Sequence, residues 1–354
     1  MTPWTRLAEV LAREKLDALV LSGLPNIRYL TGFTGSSALL LATRQGAVFF
    51  TDGRYRLQAA EQVQGAKVVV ARGALVTALL FSVKRRRLRR LGFESRRANY
   101  DFYAALRAGL PGIRLRPTAG VIEQLRTVKS EDEIVALRRS VRLNSAVFEA
   151  GLRQVQVGRS EREVADRIEY LMRRRGGDGP AFETIVAAGL RSALPHAKPT
   201  HNLLKKNEFI IIDQGVILDG YSSDMTRTVA LGGLGQRARR VYHVVLEAQL
   251  AAIAAVRPGI QAAEVDRQAR MVLQKHGLEK NFVHSTGHGV GLEIHEPPRL
   301  GRREKTRLEA GMVITIEPGV YLEGLGGVRI EDMVLVTALG CEILTPTPKE
   351  LRVL

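Results

Sequence analysis

Apolar and polar positions change their period several times along the chain, and each change marks an element. LAEVLAREKL near the amino end is amphipathic on a helical period, and DALVLSG behind it is a short apolar run that predicts a buried strand. SSALLLAT and GAVFFTD read as a hairpin or adjacent strands, and GAKVVVA as one more. Residues 1–122 are therefore predicted to form an α/β domain. Asp52, Arg54 and Tyr55 of TDGRY are its most distinctive polar group and read as turn-stabilising. Around IEQLRTVKSEDEI the pattern becomes a long charged helix, with Ser130 as N-cap and Glu133 completing a capping box. This places a boundary near residues 120–128 and a second domain over 123–354.

The second domain repeats itself. The stretch from Ser145 to Gly177 matches that from His243 at a constant offset of 101 residues, which aligns Gly158 with Gly259, Glu163 with Glu264, Val164 with Val265 and Gly176 with Gly277. Each copy predicts a helix, a turn and a second helix, followed by a strand-rich stretch. Two divergent copies in one domain predict a pseudo-twofold architecture, which favours a site at the junction of the halves.

Composition narrows the class. Hydrophobic residues make up 45% of 354 positions, enough for a large core, and no apolar run reaches the length needed to span a bilayer. The amino terminus lacks the apolar core of a signal peptide, so a cytoplasmic location is expected. One cysteine, Cys341, excludes an intramolecular disulfide and reads as a structural residue. The net charge of +17 raises nucleic acid as a partner, but Lys84–Arg90, Arg173–Arg175 and Arg237–Arg240 are scattered and accompany no nucleic-acid module. They read as surface charge.

Candidate chemistry gathers late in the chain. STGHGVGLEIHEPP carries His288 and His295 among Gly287, Gly289 and Gly291, glycines that favour a bend and close approach. Asp213 ends an apolar run, and Asp224 lies beyond the turn signal Asp219-Gly220. Pairing around that turn would put both carboxylates on one face, diagonally adjacent. Glu317 closes the strand GMVITIEPG, while VRIEDMVLV reads as one strand with Arg329 and Glu331 on a shared face. Each residue alone fits a structural role. Together, four carboxylates and an imidazole on apolar strand ends would repel one another unless cations neutralised them. Two divalent ions would do so; the oxygen-rich donor set suits Mn²⁺ or Co²⁺, with Zn²⁺ and Fe²⁺ as alternatives. Such a pair implies hydrolysis.

These residues, in this order, resemble the metallopeptidases that include prolidase, aminopeptidase P and methionine aminopeptidase. LPNIRYLTGFTG and FFTDGRY look like the amino-terminal domain of the prolidase, aminopeptidase P and creatinase branch. The resemblance implies an α+β fold: a carboxyl-terminal pita-bread domain with pseudo-twofold symmetry, preceded by the α/β domain. It further implies that Asp213 chelates one metal, that Asp224 and Glu331 bridge two, and that His288 and Glu317 hold the other. Glu317 would also serve as base, His295 would bind the scissile carbonyl or substrate backbone, and His196 would help stabilise the tetrahedral intermediate. Arg329 would fix a ligand carboxylate, and Tyr321 would orient the site. No ligand of the pattern is missing, which argues against creatinase and the pseudo-peptidase chaperones. Phe182 is a candidate wall for a proline pocket.

The activity implied is hydrolysis of Xaa-Pro bonds. The sequence reading leans to an aminopeptidase, because no carboxylate-capturing residue beyond Arg329 stands out, with a dipeptidase of the same site as the alternative. A non-catalytic binding protein on the same fold is the remote third. The resemblance implies a homodimer as well.

Overall fold

The computed structural model describes residues 2–354 and divides into two compact units, one ending at Arg126 and the other running Thr127–Leu354. The first is built on a six-stranded sheet in the order Ala66–Ala71, Gly46–Asp52, Leu39–Thr43, Ala18–Leu21, Arg90–Glu94 and Arg114–Thr118. Leu39–Thr43 runs antiparallel to both its neighbours, and the remaining pairs are parallel. The strands read as continuous apolar runs because both faces are buried: Leu19, Leu40 and Phe49 enter one core, and Val20, Leu41 and Phe50 the other. The TDGRY group is a turn device. Asp52 accepts from the Arg54 backbone N–H at 3.0 Å and pairs with its guanidinium at 2.9 Å.

In the second unit the internal repeat becomes two helix pairs. Helix Glu131–Gly151, opened by the Ser130 and Glu133 capping box, is followed by Glu161–Arg174; Gln236–Ala255 is followed by Ala262–Lys275. The second helices of the pairs keep the offset of 101 residues at both ends. Gly158 and Gly259 sit before those helices at φ of 85° and 84°, a left-handed conformation that glycine adopts without the strain a side chain would bring. The first pair packs on a sheet ordered Met225–Leu231, Glu208–Gln214, Ile185–Ala188, through Phe148, Ile168, Ile210 and Val229. The second packs on a five-stranded sheet ordered Glu296–Leu300, Gly287–Gly289, Val313–Ile316, Asp332–Val336, Cys341–Ile343, through Tyr242, Val265, Ile314 and Val334. Both sheets are antiparallel, and the halves share one plan.

The Asp219-Gly220 turn sets the register on which the site depends. Both residues have positive φ, 49° and 76°, as a two-residue hairpin turn requires. Leu218 then pairs with Tyr221, and the same register continues to Asp213 opposite Thr226.

One expected strand is divided. VRIEDMVLV does not run as one strand: Gly326–Arg329 pairs with Gly319–Leu322, Asp332–Val336 pairs with Val313–Ile316, and Ile330 and Glu331 lie between them. Arg227 makes the break tolerable. Its guanidinium donates to the Glu331 carbonyl at 2.5 Å and to Asp332 Oδ1 at 2.7 Å, so the interrupted backbone keeps a buried partner. Among the described residues, no helix is long and apolar enough to cross a membrane.

Candidate metal centre

The hairpin delivers the first two carboxylates. Asp213 lies opposite Thr226 and Asp224 two residues before it, which makes them diagonal neighbours on one face. Asp224 is buried. Asp213 is held by one oxygen: Arg329 Nη2 donates to Oδ2 at 2.7 Å, whereas Oδ1 is buried without a hydrogen-bond partner among the described residues.

The second half delivers the imidazole. Gly287 runs so close to the neighbouring strand that a Cβ there would collide with the Thr315 carbonyl, and this approach carries His288 inward. Its backbone N–H donates to Thr315 Oγ1 at 3.1 Å. Ring atom Nδ1 faces the Gly289 carbonyl at 3.0 Å and must carry the proton to donate there, which leaves the Nε2 lone pair pointing at the acids. Nε2 stands 3.6 Å from Asp224 Oδ2 and 3.5 Å from Glu317 Oε1. Asp224, His288 and Glu331 each offer a ligand atom within 4.8 Å of the others. Glu331 Oε2 accepts from Thr226 Oγ1 at 2.7 Å.

The electrostatics of this cluster suit a bound cation. Burial, reinforced by Glu331, Asp213 and Glu317, holds the Asp224 carboxyl well above its ordinary range. Burial likewise raises Glu331, with Glu317 and Asp213 adding to it, and pushes Glu317 up to about 7. His288 is lowered to about 4, first by burial and then by His295. A neutral nitrogen lone pair facing crowded carboxylate oxygens, beside a buried oxygen with no donor, is unfavourable for the protein alone and suits a divalent ion. The donor set therefore fits the group.

Around the cluster, Arg329 is buried and fully engaged. Besides Asp213 it donates to Tyr321 Oη at 2.7 Å, the Pro195 carbonyl at 3.0 Å and Thr226 Oγ1 at 3.1 Å. Tyr321 in turn reaches His284 Nε2 at 2.9 Å. His295 is exposed, with its ring centroid 4.4 Å from that of His288. His196 sits in the turn after Pro195, exposed; burial lowers both His284 and His295, and His196 adds to it in each case. Phe182 is half-buried and lies over Gly215, where a Cβ would meet its ring. The sequence reading missed Thr226, Thr315 and His284, which orient Glu331, His288 and Tyr321. Thr226 alone carried a signal, standing two residues after Asp224 on the same strand face.

Comparison with known proteins identifies the family. Residues 135–338 match the model of metallopeptidase family M24, and residues 3–128 match the creatinase/prolidase amino-terminal domain. An Xaa-Pro dipeptidase of Pyrococcus horikoshii is 34% identical over 348 residues, covering 98% of this chain and 97% of that protein. Among solved structures, an Xaa-Pro dipeptidase from Bacillus anthracis superposes with a TM-score of 0.97 at 38% identity, covering 99% of each chain. An X-Pro aminopeptidase from Thermotoga maritima superposes with a TM-score of 0.91 at 32% identity, over 99% of this chain and all of that one. With a creatinase-type amino-terminal domain followed by an α+β pita-bread domain, this chain belongs to metallopeptidase family M24.

Proposed function

We propose that this protein is a divalent-metal-dependent Xaa-Pro dipeptidase. The observation that carries the metal is the buried Oδ1 of Asp213, without a hydrogen-bond partner among the described residues, near enough to Asp224, Glu317 and Glu331 to act on each, with an unprotonated imidazole nitrogen facing two of them. In this reading Asp213, Asp224, His288, Glu317 and Glu331 would hold the ions. Mn²⁺ or Co²⁺ suits the donors best, with Zn²⁺ and Fe²⁺ as alternatives. Two such ions supply a water of lowered pKa and a Lewis-acid contact for the peptide carbonyl.

The remaining work falls to the chain's own side chains. Glu317 takes a proton from the attacking water and returns it to the proline nitrogen as the C–N bond breaks. His295 holds the scissile carbonyl or the substrate backbone, and His196 steadies the developing oxyanion. Arg329 and Tyr321 keep Asp213 oriented. An Xaa-Pro bond has no N–H and a locked ring, so it fits poorly in proteases that need an extended hydrogen-bonding backbone, whereas this site asks only for the carbonyl and a ring-sized pocket. Phe182 is the proposed wall of that pocket.

The dipeptidase reading reverses the lean drawn from the sequence. The Pyrococcus horikoshii and Bacillus anthracis proteins, matched over nearly their full lengths, both carry the dipeptidase name. The aminopeptidase reading stays as the second, on the likeness to the Thermotoga maritima protein. A homodimer in the cytoplasm completes the proposal. The test is hydrolysis of Ala-Pro and Ala-Pro-Ala side by side on metal-loaded protein. Cleavage of Ala-Pro alone is expected, cleavage of the tripeptide establishes the second reading, and cleavage of neither with any of the four metals removes both.

A further inference from the structure

Behind His295 lies an ion pair that the chemistry above does not use. Lys129 Nζ donates to Glu296 Oε2 at 3.0 Å, with the two side chains only 1% and 2% exposed. Lys129 is firmly seated: its backbone N–H donates to the Gly311 carbonyl at 2.9 Å, and it precedes Ser130, the cap of a 21-residue helix. Glu296 directly follows His295 and opens the strand Glu296–Leu300. Its Oε1 accepts from the Glu293 backbone N–H at 3.1 Å, which folds residues 291–295 back over the carboxylate. Gly291 leaves the space for it, since a Cβ there would lie 2.6 Å from Oε1. The same glycine's carbonyl accepts at 2.8 Å from the N–H of Ser222, two residues before Asp224.

His295 depends on this arrangement more than its neighbours do. His288 is fixed through its own ring and backbone, by the Gly289 carbonyl and Thr315. The His295 imidazole makes no hydrogen bond among the described residues and only rests edge-on against the His288 ring at 4.4 Å, so the loop backbone is its main anchor. We propose that Lys129 and Glu296 are positioning residues: the buried pair sets the loop that presents His295 to the substrate, without touching metal or substrate itself. The inference rests on the reading of His295 given above.

The test is a double-mutant cycle on metal-loaded protein, with kcat, KM and metal affinity measured for Lys129→Met, His295→Ala and their combination. Lys129→Met should lower kcat/KM about tenfold, the scale of supporting-contact losses, and leave metal affinity within about twofold. In the His295→Ala background the same substitution should cost almost nothing more, because the ring it positions is gone. Equal losses in both backgrounds, or a loss matched by weakened metal binding, would overturn the proposal while leaving the role of His295 intact. A His295→Ala enzyme as active as wild type would remove that role and the proposal with it. Should Lys129→Met fail to fold, the paired replacement Lys129→Met with Glu296→Met, which leaves no unmatched buried charge, enters the cycle in its place with the same expectations.

Discussion

Arg329 holds Asp213 by a single oxygen, 2.7 Å from its Nη2, and the other oxygen is buried with no donor among the described residues. The arginine thereby fixes one oxygen of the carboxylate and limits its rotation. Arg329→Met should free Asp213 to rotate and weaken metal binding by about 10- to 100-fold, the usual cost of removing a contact that orients a ligand. Calorimetric titration of the stripped variant checks this, and unchanged affinity would show that Asp213 is placed by its strand alone.

Protonation gives a second prediction. Without metal, Glu317 is pushed up to about 7 and Asp224 and Glu331 also stand above their ordinary range, whereas a divalent ion requires them ionised. Loading at pH 7 should release protons, seen as heats that differ between two buffers of unlike ionisation enthalpy. Equal heats would contradict it. Stability follows the same groups. Above the ordinary carboxylate value of 4.5 the folded stripped protein binds more protons than the unfolded chain, so these groups make its stability fall as pH rises toward about 7. His284 and His288, lowered from 6.5 to about 4, act in the opposite sense between those values. Above pH 6.5 only the carboxylates remain, so denaturant unfolding of stripped protein should show declining stability there, absent once metal is bound.

The parts of the site readable in the sequence are those set by local rules. Asp213 and Asp224 came out as neighbours because Asp219-Gly220 forces a two-residue turn and the strand period does the rest. The break at Ile330 and Glu331 was not readable, because VRIEDMVLV carries no glycine or proline to mark it. The partner that makes the break tolerable, Arg227, lies more than a hundred residues earlier. The same holds for Lys129 and Glu296, separated by 167 residues, and for His284, whose role exists only through its contact with Tyr321. Of the basic runs, Lys84 to Arg87 all face solvent.

Packing gives a third prediction at Gly287. A Cβ added there would lie 1.9 Å from the Thr315 carbonyl oxygen, a backbone group that cannot swing aside as a side chain could. Gly287→Ala should therefore separate the two strands, cost about 1–3 kcal/mol as overpacking does, and displace His288. Urea unfolding and metal affinity should both deteriorate. A variant of wild-type stability that still binds metal would mean that the strands can part without consequence.

The most direct measurement is titration of Mn²⁺ or Co²⁺ into stripped protein while following Ala-Pro hydrolysis, for wild type and Asp224→Asn. The account predicts no turnover without metal, activity that saturates as about two ions bind per chain, and loss of both binding and turnover in the variant. Hydrolysis by stripped protein, or an Asp224→Asn enzyme that binds metal and turns over like wild type, would contradict it.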